Sequence, residues 1–252
     1  MARWGMDRAL PREWFDLQVG FARRVVEVGG GRFEEVLARQ TNVYRCLGLP
    51  WEMDLGHPVW VEFVEGLLRA GDAVAWAYQF YRGRWRADGV RPFGCLRYDF
   101  EPDGTWIRLH FSNQDGSGEG AISKARMEVR LAELRAMFGE IARVCPEATE
   151  VRGNSWLYRR EAYRRLYPPA FCRVLTPSRT EDHFQYLALW GQFLDREKRV
   201  KLAMAGEFLA RIERAETMAE LAAAFPQRVY SAACGIAEFY DFYGIDRESE
   251  AG

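Results

Sequence analysis

The sequence predicts an α+β fold, a central mixed sheet flanked by helical segments at both ends. Three observations carry that reading. Residues 11–82 show apolar stripes at helical spacing. From Gly83 the pattern changes to short alternating runs separated by turn residues. Beyond 192 helical spacing returns. The chain accordingly divides into a helical part over 1–88, an α/β core over 89–192 and a second helical part over 193–252.

In Pro11 to Val28, Trp14, Leu17, Phe21, Val25 and Val28 share one stripe, and Gly29-Gly30-Gly31 interrupts it. Phe33, Val36, Leu37, Tyr44 and Leu47 predict a second helix over Arg32 to Leu47, closed by Gly48-Leu49-Pro50. A loop through Trp51 and Asp54 leads to Pro58, which suits the first position of a third helix bearing Trp60, Phe63, Val64, Leu67 and Leu68. Asp72 is placed to cap a fourth, Ala73 to Arg82. Each helix has one apolar face, so none is stable without a partner.

Gly83 to Pro92 reads as a loop and Phe93 to Phe100 as a strand. Pro102-Asp103-Gly104 is a turn into the strand Thr105 to Phe111, which makes an antiparallel hairpin. The stretch Thr105 to Tyr167 is the unit around which the chain is organised. After the strand comes the glycine-dense loop Asn113 to Gly120, then a helix over Ala121 to Val144 with Met127, Leu131, Leu134, Phe138 and Ile141 on one face. A strand over Thr149 to Trp156 and a short helix over Arg160 to Leu166 complete it. Pro168-Pro169 stops that helix, Ala170 to Thr176 reads as a strand, and Phe184 to Trp190 as the last strand. Val200, Met204, Phe208 and Ile212 step by four. Thr217-x-x-Glu220 is a capping box for a helix ending at Pro226, and Val229 to Tyr243 reads as a final helix.

Composition narrows the class. Hydrophobic residues at 48% suffice for a sizeable core, so disorder is confined to Met1 to Gly5 and Glu248 to Gly252. A formal net charge of -1 argues against nucleic acid as a partner. Cys46, Cys95, Cys145, Cys172 and Cys234 contain no C-x-x-C pair, which fits free thiols in a reducing cytoplasm. With only His57, His110 and His183, a histidine-rich metal site is not expected. No apolar run approaches the ~20 residues that span a bilayer, so no membrane partner is expected.

A strand, a glycine loop and a helix start form a ready anion site, because backbone amides point outward and glycines allow close approach. The order strand, glycine loop, long helix, strand, short helix, strand resembles the core of the GNAT N-acyltransferases. The wording is similar to the GNAT-like C-terminal domain that follows a helical segment in some bacterial acyltransferases. It carries Leu109-His110, a helix running up to Pro146, and Ser155-Trp156-Leu157. Gly153 to Pro169 and the segment Leu189 to Asp195 also resemble an uncharacterised bacterial protein family. The overlap spans roughly a hundred central residues.

The resemblance implies a GNAT-like central sheet and transfer of an acyl group from an acyl-CoA co-substrate to a small amine or hydroxyl acceptor, with no metal. Gly116, Ser117, Gly118 and Gly120 would grip the pyrophosphate through backbone amides. Backbone around His110 to Ser112 would polarise the thioester carbonyl. Tyr163, or next Tyr158, would protonate the departing thiolate, and His110 or Glu119 would serve as general base. The family loop reads Arg/Gln-x-x-Gly-x-Gly/Ala. Here three positions before Gly118 stands Asp115, so the glycines are out of register, and Asp115 and Glu119 bring negative charge to the loop.

Plainer readings stand beside these. The glycine loop also reads as a flexible connection, the tyrosines as core aromatics, and His110 as part of a polar strand face. Gly153-Asn154-Ser155-Trp156-Leu157 half-matches a nucleophile elbow, with His183 beside Asp182 later in the chain. The alternative to an acyltransferase is a non-catalytic GNAT-like protein binding a small ligand or a partner protein.

Overall fold

The computed structural model describes residues 9–50, 52–86, 92–100 and 104–246. Trp51, most of the expected loop before Pro92, the turn at Pro102-Asp103 and both termini lie outside the described residues. The fold is α+β, with a five-stranded mixed sheet and flanking helices. The chain forms two compact units that interleave along the sequence, where three consecutive parts were drawn above. One unites the described residues of 1–88 with Arg179–Arg228, and the other joins those of 89–178 to those from Val229 onward.

The first unit is helical. Helix α1 (Arg12–Gly29) buries Trp14, Leu17, Phe21 and Val25, as its stripe predicts. The helix expected over Arg32 to Leu47 is two, α2 (Phe33–Arg39) and α3 (Val43–Cys46). The break falls at buried Thr41 and Asn42, and Asn42 N donates to Gln18 Oε1 at 2.8 Å. Short polar side chains compete with the helix for its backbone bonds, which is why the run stops there. Helix α4 (Pro58–Arg69) has Pro58 at its first turn, and α5 (Ala73–Arg84) is capped by Asp72, which accepts from Val74 N and Ala75 N. The Trp76 indole donates to Phe63 O at 2.9 Å and fixes α5 against α4.

Phe184 to Trp190 is not a strand. Thr180–His183 forms a 3-10 turn, α8 spans Leu187–Trp190, and Gly191–Phe193 is a second 3-10 turn. A short apolar run does not distinguish strand from buried helix. Here an aromatic cluster decides. Phe21 lies 5.0 Å from Phe184 and 5.4 Å from Trp190, centroid to centroid, and Trp190 lies 4.9 Å from Phe225. Helix α9 (Leu202–Arg214) adds Phe208, 4.8 Å from Phe225, and α10 (Met218–Ala223) begins at Thr217, whose hydroxyl accepts from Glu220 N. Arg24 of α1 donates to the Ile212 and Ala215 carbonyls at the end of α9, where a cation meets the negative end of the helix dipole.

The second unit holds the sheet, in the order β1 (Leu96–Phe100), β2 (Trp106–Phe111), β3 (Glu150–Ser155), β5 (Tyr230–Gly235), β4 (Thr176–Pro177). Strands β1 and β2 are antiparallel, β2 and β3 parallel, and β5 antiparallel to both its neighbours. Helix α6 (Met127–Val144) makes the crossover from β2 to β3, and buries Leu134, Met137, Phe138 and Ile141 with Ile107, Leu109 and Val151. The short α7 (Glu161–Arg164) follows β3.

Two expectations fail here. Val229 to Tyr243 is not one helix: β5 is inserted between β3 and β4, and only α11 (Ile236–Tyr243) is helical. Strand β3 pairs with Ser231, Ala232 and Ala233, β4 adds a second partner for Tyr230 and Ser231, and pairing overrides the helix propensity of the alanines. Ala170 to Thr176 is mostly turn, with a strand only at Thr176–Pro177. Phe171 N donates to Pro168 O and Arg173 N to Ala170 O, so the backbone turns on itself here instead of extending. Helix α11 closes the core by stacking Phe239 on Phe138 at 4.6 Å.

Gly66 of α4 lies so near Trp76 that an added Cβ would fall 1.9 Å from the indole ring. The hydrogen bond to Phe63 O prevents the ring from yielding. Overpacking costs about 1–3 kcal/mol and exceeds the ~0.5–1 kcal/mol gained on replacing a helical glycine. Gly66→Ala should therefore lower the urea midpoint followed by tryptophan fluorescence, and an unchanged midpoint contradicts this packing.

Candidate functional site

The sheet opens between its two parallel strands. Pairing of β2 with β3 runs from Trp106↔Glu150 to Leu109↔Gly153 and ends there. Both strands continue with other neighbours. His110 and Phe111 stay opposite Arg97 and Leu96 of β1, while Asn154 and Ser155 stay opposite Ser231 and Tyr230 of β5. Parallel strands that part at their carboxyl ends leave backbone groups facing a gap, the usual location for ligands in open sheets. Ser112 N donates to Cys95 O at 2.8 Å. Amides alternate in direction along a strand, so the Phe111 amide points toward the β3 side.

Two sets of candidate residues meet at this gap, on opposite faces of the sheet. On the α6 face stand Tyr158 and Tyr163, with ring centroids 5.4 Å apart and Phe111 at 5.3 Å from Tyr163. Tyr167 and Phe171 close the group. Tyr158 and Tyr163 are 1% and 2% exposed, and burial drives both phenols well above their ordinary value. Both phenols are therefore neutral at physiological pH, and aromatic rings enclose them. The Tyr158 hydroxyl lies 2.0 Å from where a Cβ on Gly153 would stand, so a larger residue here would force the buried tyrosine to shift.

On the other face are Arg97, Asp99, Trp106, Arg108 and His110, joined from β3 by Glu150 and Arg152. Alternation along the strands gives this face. The Arg108 and Arg152 guanidiniums lie over the Trp106 ring, at 5.2 Å and 4.2 Å. His110 Nε2 is 2.7 Å from Asp99 Oδ2. Burial pulls the imidazole below its ordinary value, and Asp99 opposes that pull in part. Burial alone would raise the Asp99 carboxyl, but His110, Arg97 and Arg108 outweigh it and hold it low.

The glycine loop differs from its expected form. Regular helix begins at Met127 after a 3-10 turn over Lys124–Arg126, so Gly116 to Gly120 do not supply the amides of the first turn of α6. Ser117 N donates to Asp115 Oδ1 at 2.9 Å, and Glu119 N to Ser117 Oγ at 3.3 Å. The Asp115 side chain has claimed one of the amides assigned to a pyrophosphate, that of Ser117, and the Ser117 hydroxyl the neighbouring amide of Glu119. The loop is nonetheless open, since a Cβ on Gly116, Gly118 or Gly120 would meet nothing within 4 Å. Gly118 has φ +80, a conformation that favours glycine.

The negative charge expected at the loop is only half there. Glu119 is exposed, but the Asp115 side chain is 2% exposed and turned inward, 2.6 Å from Arg126 Nε and 3.3 Å from Arg130 NH1. Burial would raise its carboxyl, but Ser117, Arg126 and Arg130 outweigh burial and hold it at about 2. Arg130 in turn reaches Cys95 Sγ and, at 2.7 Å, Glu133. Sequence reasoning missed this network and Asp99. The Arg126, Arg130, Glu133 spacing on one helix face was its one visible sign.

The half-matched nucleophile elbow is a structural cap. Ser155 Oγ accepts from Leu157 N at the turn over Trp156–Arg159, and His183 is buried in the first unit beside Tyr186. Among the described residues no group of three or more His, Cys, Asp or Glu is arranged to hold a metal ion. No helix among them is long and apolar enough to cross a membrane.

Compared with protein-family models, with curated proteins and with solved structures, the chain has no match. The reading of the site therefore rests on its own geometry.

Asp115→Ala would leave the buried Arg130 without one of its carboxylates, at a cost of about 3 kcal/mol. Denaturant unfolding followed by circular dichroism measures it, and a change within error would remove Asp115 as the loop's anchor. The pH dependence has a definite sign. A carboxyl depressed from 3.8 to about 2 contributes stability above the unfolded value and loses it as pH falls through the folded one. Acid titration should show a stability loss in this window that Asp115→Asn lacks.

Proposed function

We propose that the second unit is a GNAT-like acyl-transfer core and that the chain moves an acyl group from an acyl-CoA to a small amine or hydroxyl acceptor. The parting of β2 and β3 beyond Leu109 and Gly153 carries this reading. A thioester lying in that gap would have its carbonyl oxygen at the Phe111 amide, a donor held by strand backbone before reaction begins. The acceptor would approach from the His110 face and give up its proton there. Its nitrogen or oxygen attacks the carbonyl carbon, the carbon–sulfur bond breaks, and the thiolate takes a proton from Tyr163 on the other face. A neutral phenol is the form of tyrosine that this last step requires. The strand, loop, helix, strand, short helix, strand order of the second unit agrees with the family resemblance, and at this level the support is analogy.

A second reading has its own support. The Ser117 and Glu119 amides are bonded within the loop, and both tyrosines are enclosed. Those features favour a non-catalytic relative that holds a small ligand or a partner protein at the same gap.

Thermal unfolding with acetyl-CoA and longer acyl-CoAs separates the two. Binding to the folded state alone should add ~2.7 kcal/mol of stability at a hundredfold excess over the dissociation constant. Gly118→Asp should abolish the shift, because it brings charge and a side chain to an open left-handed position. No shift with any thioester removes the transferase reading. Tyr163→Phe should lower kcat by about a hundredfold while leaving the thermal shift in place. Loss of both together would mean that the phenol supports packing only.

A further inference from the structure

Beyond Gly153, Asn154 keeps the alternation of β3, so it shares a face with Arg152 and, across the gap, with His110. Asn154 is exposed, and its backbone pairs with Ser231 of β5. The Ser231 hydroxyl donates to Asn154 Oδ1 at 2.7 Å. Ser178, just beyond β4, lies 2.9 Å from the same hydroxyl, Oγ to Oγ. A hydroxyl has one proton, and Ser231 has given its own to Asn154, so Ser178 is the donor in this second bond. The two bonds run in series from the β4 edge of the sheet and end on the amide oxygen of Asn154. The NH2 group of that amide is therefore turned away from β5, on the side where β3 has lost its β2 partner. Among the described residues Ser231 is the one side-chain partner of Asn154. Backbone ladders already hold β3, β5 and β4 in register. What the side-chain series adds is the orientation of one exposed amide.

We propose that Asn154 is a specificity-determining residue whose amide donates to a carboxylate of the acyl acceptor, and that the acceptor is a small amine carrying such a group, an amino acid or a relative of one. The proposal rests on the acyl-transfer reading, in which the acceptor reaches the gap from this face. An amide NH2 offers two donors and selects a ligand group that accepts. Its bonds to an ionised oxygen are about twice as strong as those to a neutral one. The face supplies the sign. Among its described residues, Arg97, Arg108 and Arg152 stand against Asp99 and Glu150. That balance favours an anion over a second cation. The amino and carboxylate groups of an α-amino acid are joined through one carbon. A carboxylate held at Asn154 therefore brings the nitrogen beside the gap, where the reacting carbonyl lies in this reading.

The test uses the full chain, an acyl-CoA donor and matched acceptors: an α-amino acid and the amine left when its carboxylate is removed. The amino acid should be the better acceptor by about tenfold in kcat/KM, the share of one hydrogen bond to a charged group. Asn154→Asp keeps the oxygen that accepts from Ser231 and replaces the donor with a second acceptor. It should abolish the preference, raising KM for the amino acid more than it lowers kcat, while the thermal midpoint holds. Ser231→Ala lets the amide turn and should weaken the preference in the same direction, and Ser231→Thr should restore it. Equal use of the two acceptors by the unaltered protein overturns the proposal and leaves acyl transfer standing. A loss in Asn154→Asp that falls equally on both acceptors makes the residue a brace between strands, and overturns the proposal as well. Transfer to neither kind of acceptor overturns the acyl-transfer reading, and the acceptor class with it.

Discussion

Gly153 is the residue on which the second unit turns. It is the last position at which β3 pairs with β2, and its missing side chain leaves room for the Tyr158 hydroxyl. A larger residue would displace the tyrosine group beneath the sheet, and with it the packing of Phe111 on the neighbouring strand. From that point each strand follows a different partner, β2 keeping to β1 and β3 to β5. The gap between them is therefore a consequence of sheet topology, in which β5 enters between β3 and β4.

The polar groups around this gap are arranged by pairing. Asp115 draws the loop inward through Arg126 and Arg130, and the same guanidinium of Arg130 reaches Cys95 and Glu133 just before β1. Cys95 N donates to Glu133, and Gly94, with φ +54, passes within 2.1 Å of the Glu133 carboxylate at its would-be Cβ. A buried guanidinium must be matched by carboxylates or be very costly, so the loop, the start of α6 and the approach to β1 hold one another in place.

Much of the fold was legible. The stripes of Trp14, Leu17, Phe21 and Val25, the Asp72 and Thr217 caps, the hairpin and the crossover helix are local or periodic features, and each corresponds to an observed element. Phe184 to Trp190 and Val229 to Tyr243 misled for a common reason. Their local sequence fits two structures, and distant residues made the choice: Phe21, Phe208 and Phe225 for the first, the edges of β3 and β4 for the second. At the site, Tyr158, Tyr163 and His110 were singled out through the family resemblance, and the structure places the tyrosines on one face of the sheet and His110 on the other. Asp99 and Arg130 were passed over because a carboxylate or guanidinium gains its meaning only from the partner folded against it.

By itself the sequence determined which segments are amphipathic, that Asp72 and Thr217 cap helices, and that a glycine loop lies between a strand and a long helix, since these depend on neighbours a few residues apart. Tertiary structure alone decided that the loop's acid turns inward, that β2 and β3 separate at Leu109 and Gly153, and that His110 and Tyr163 occupy opposite faces of that opening. Burial and charge pairing between residues distant in the chain set those outcomes, and no local pattern encodes them.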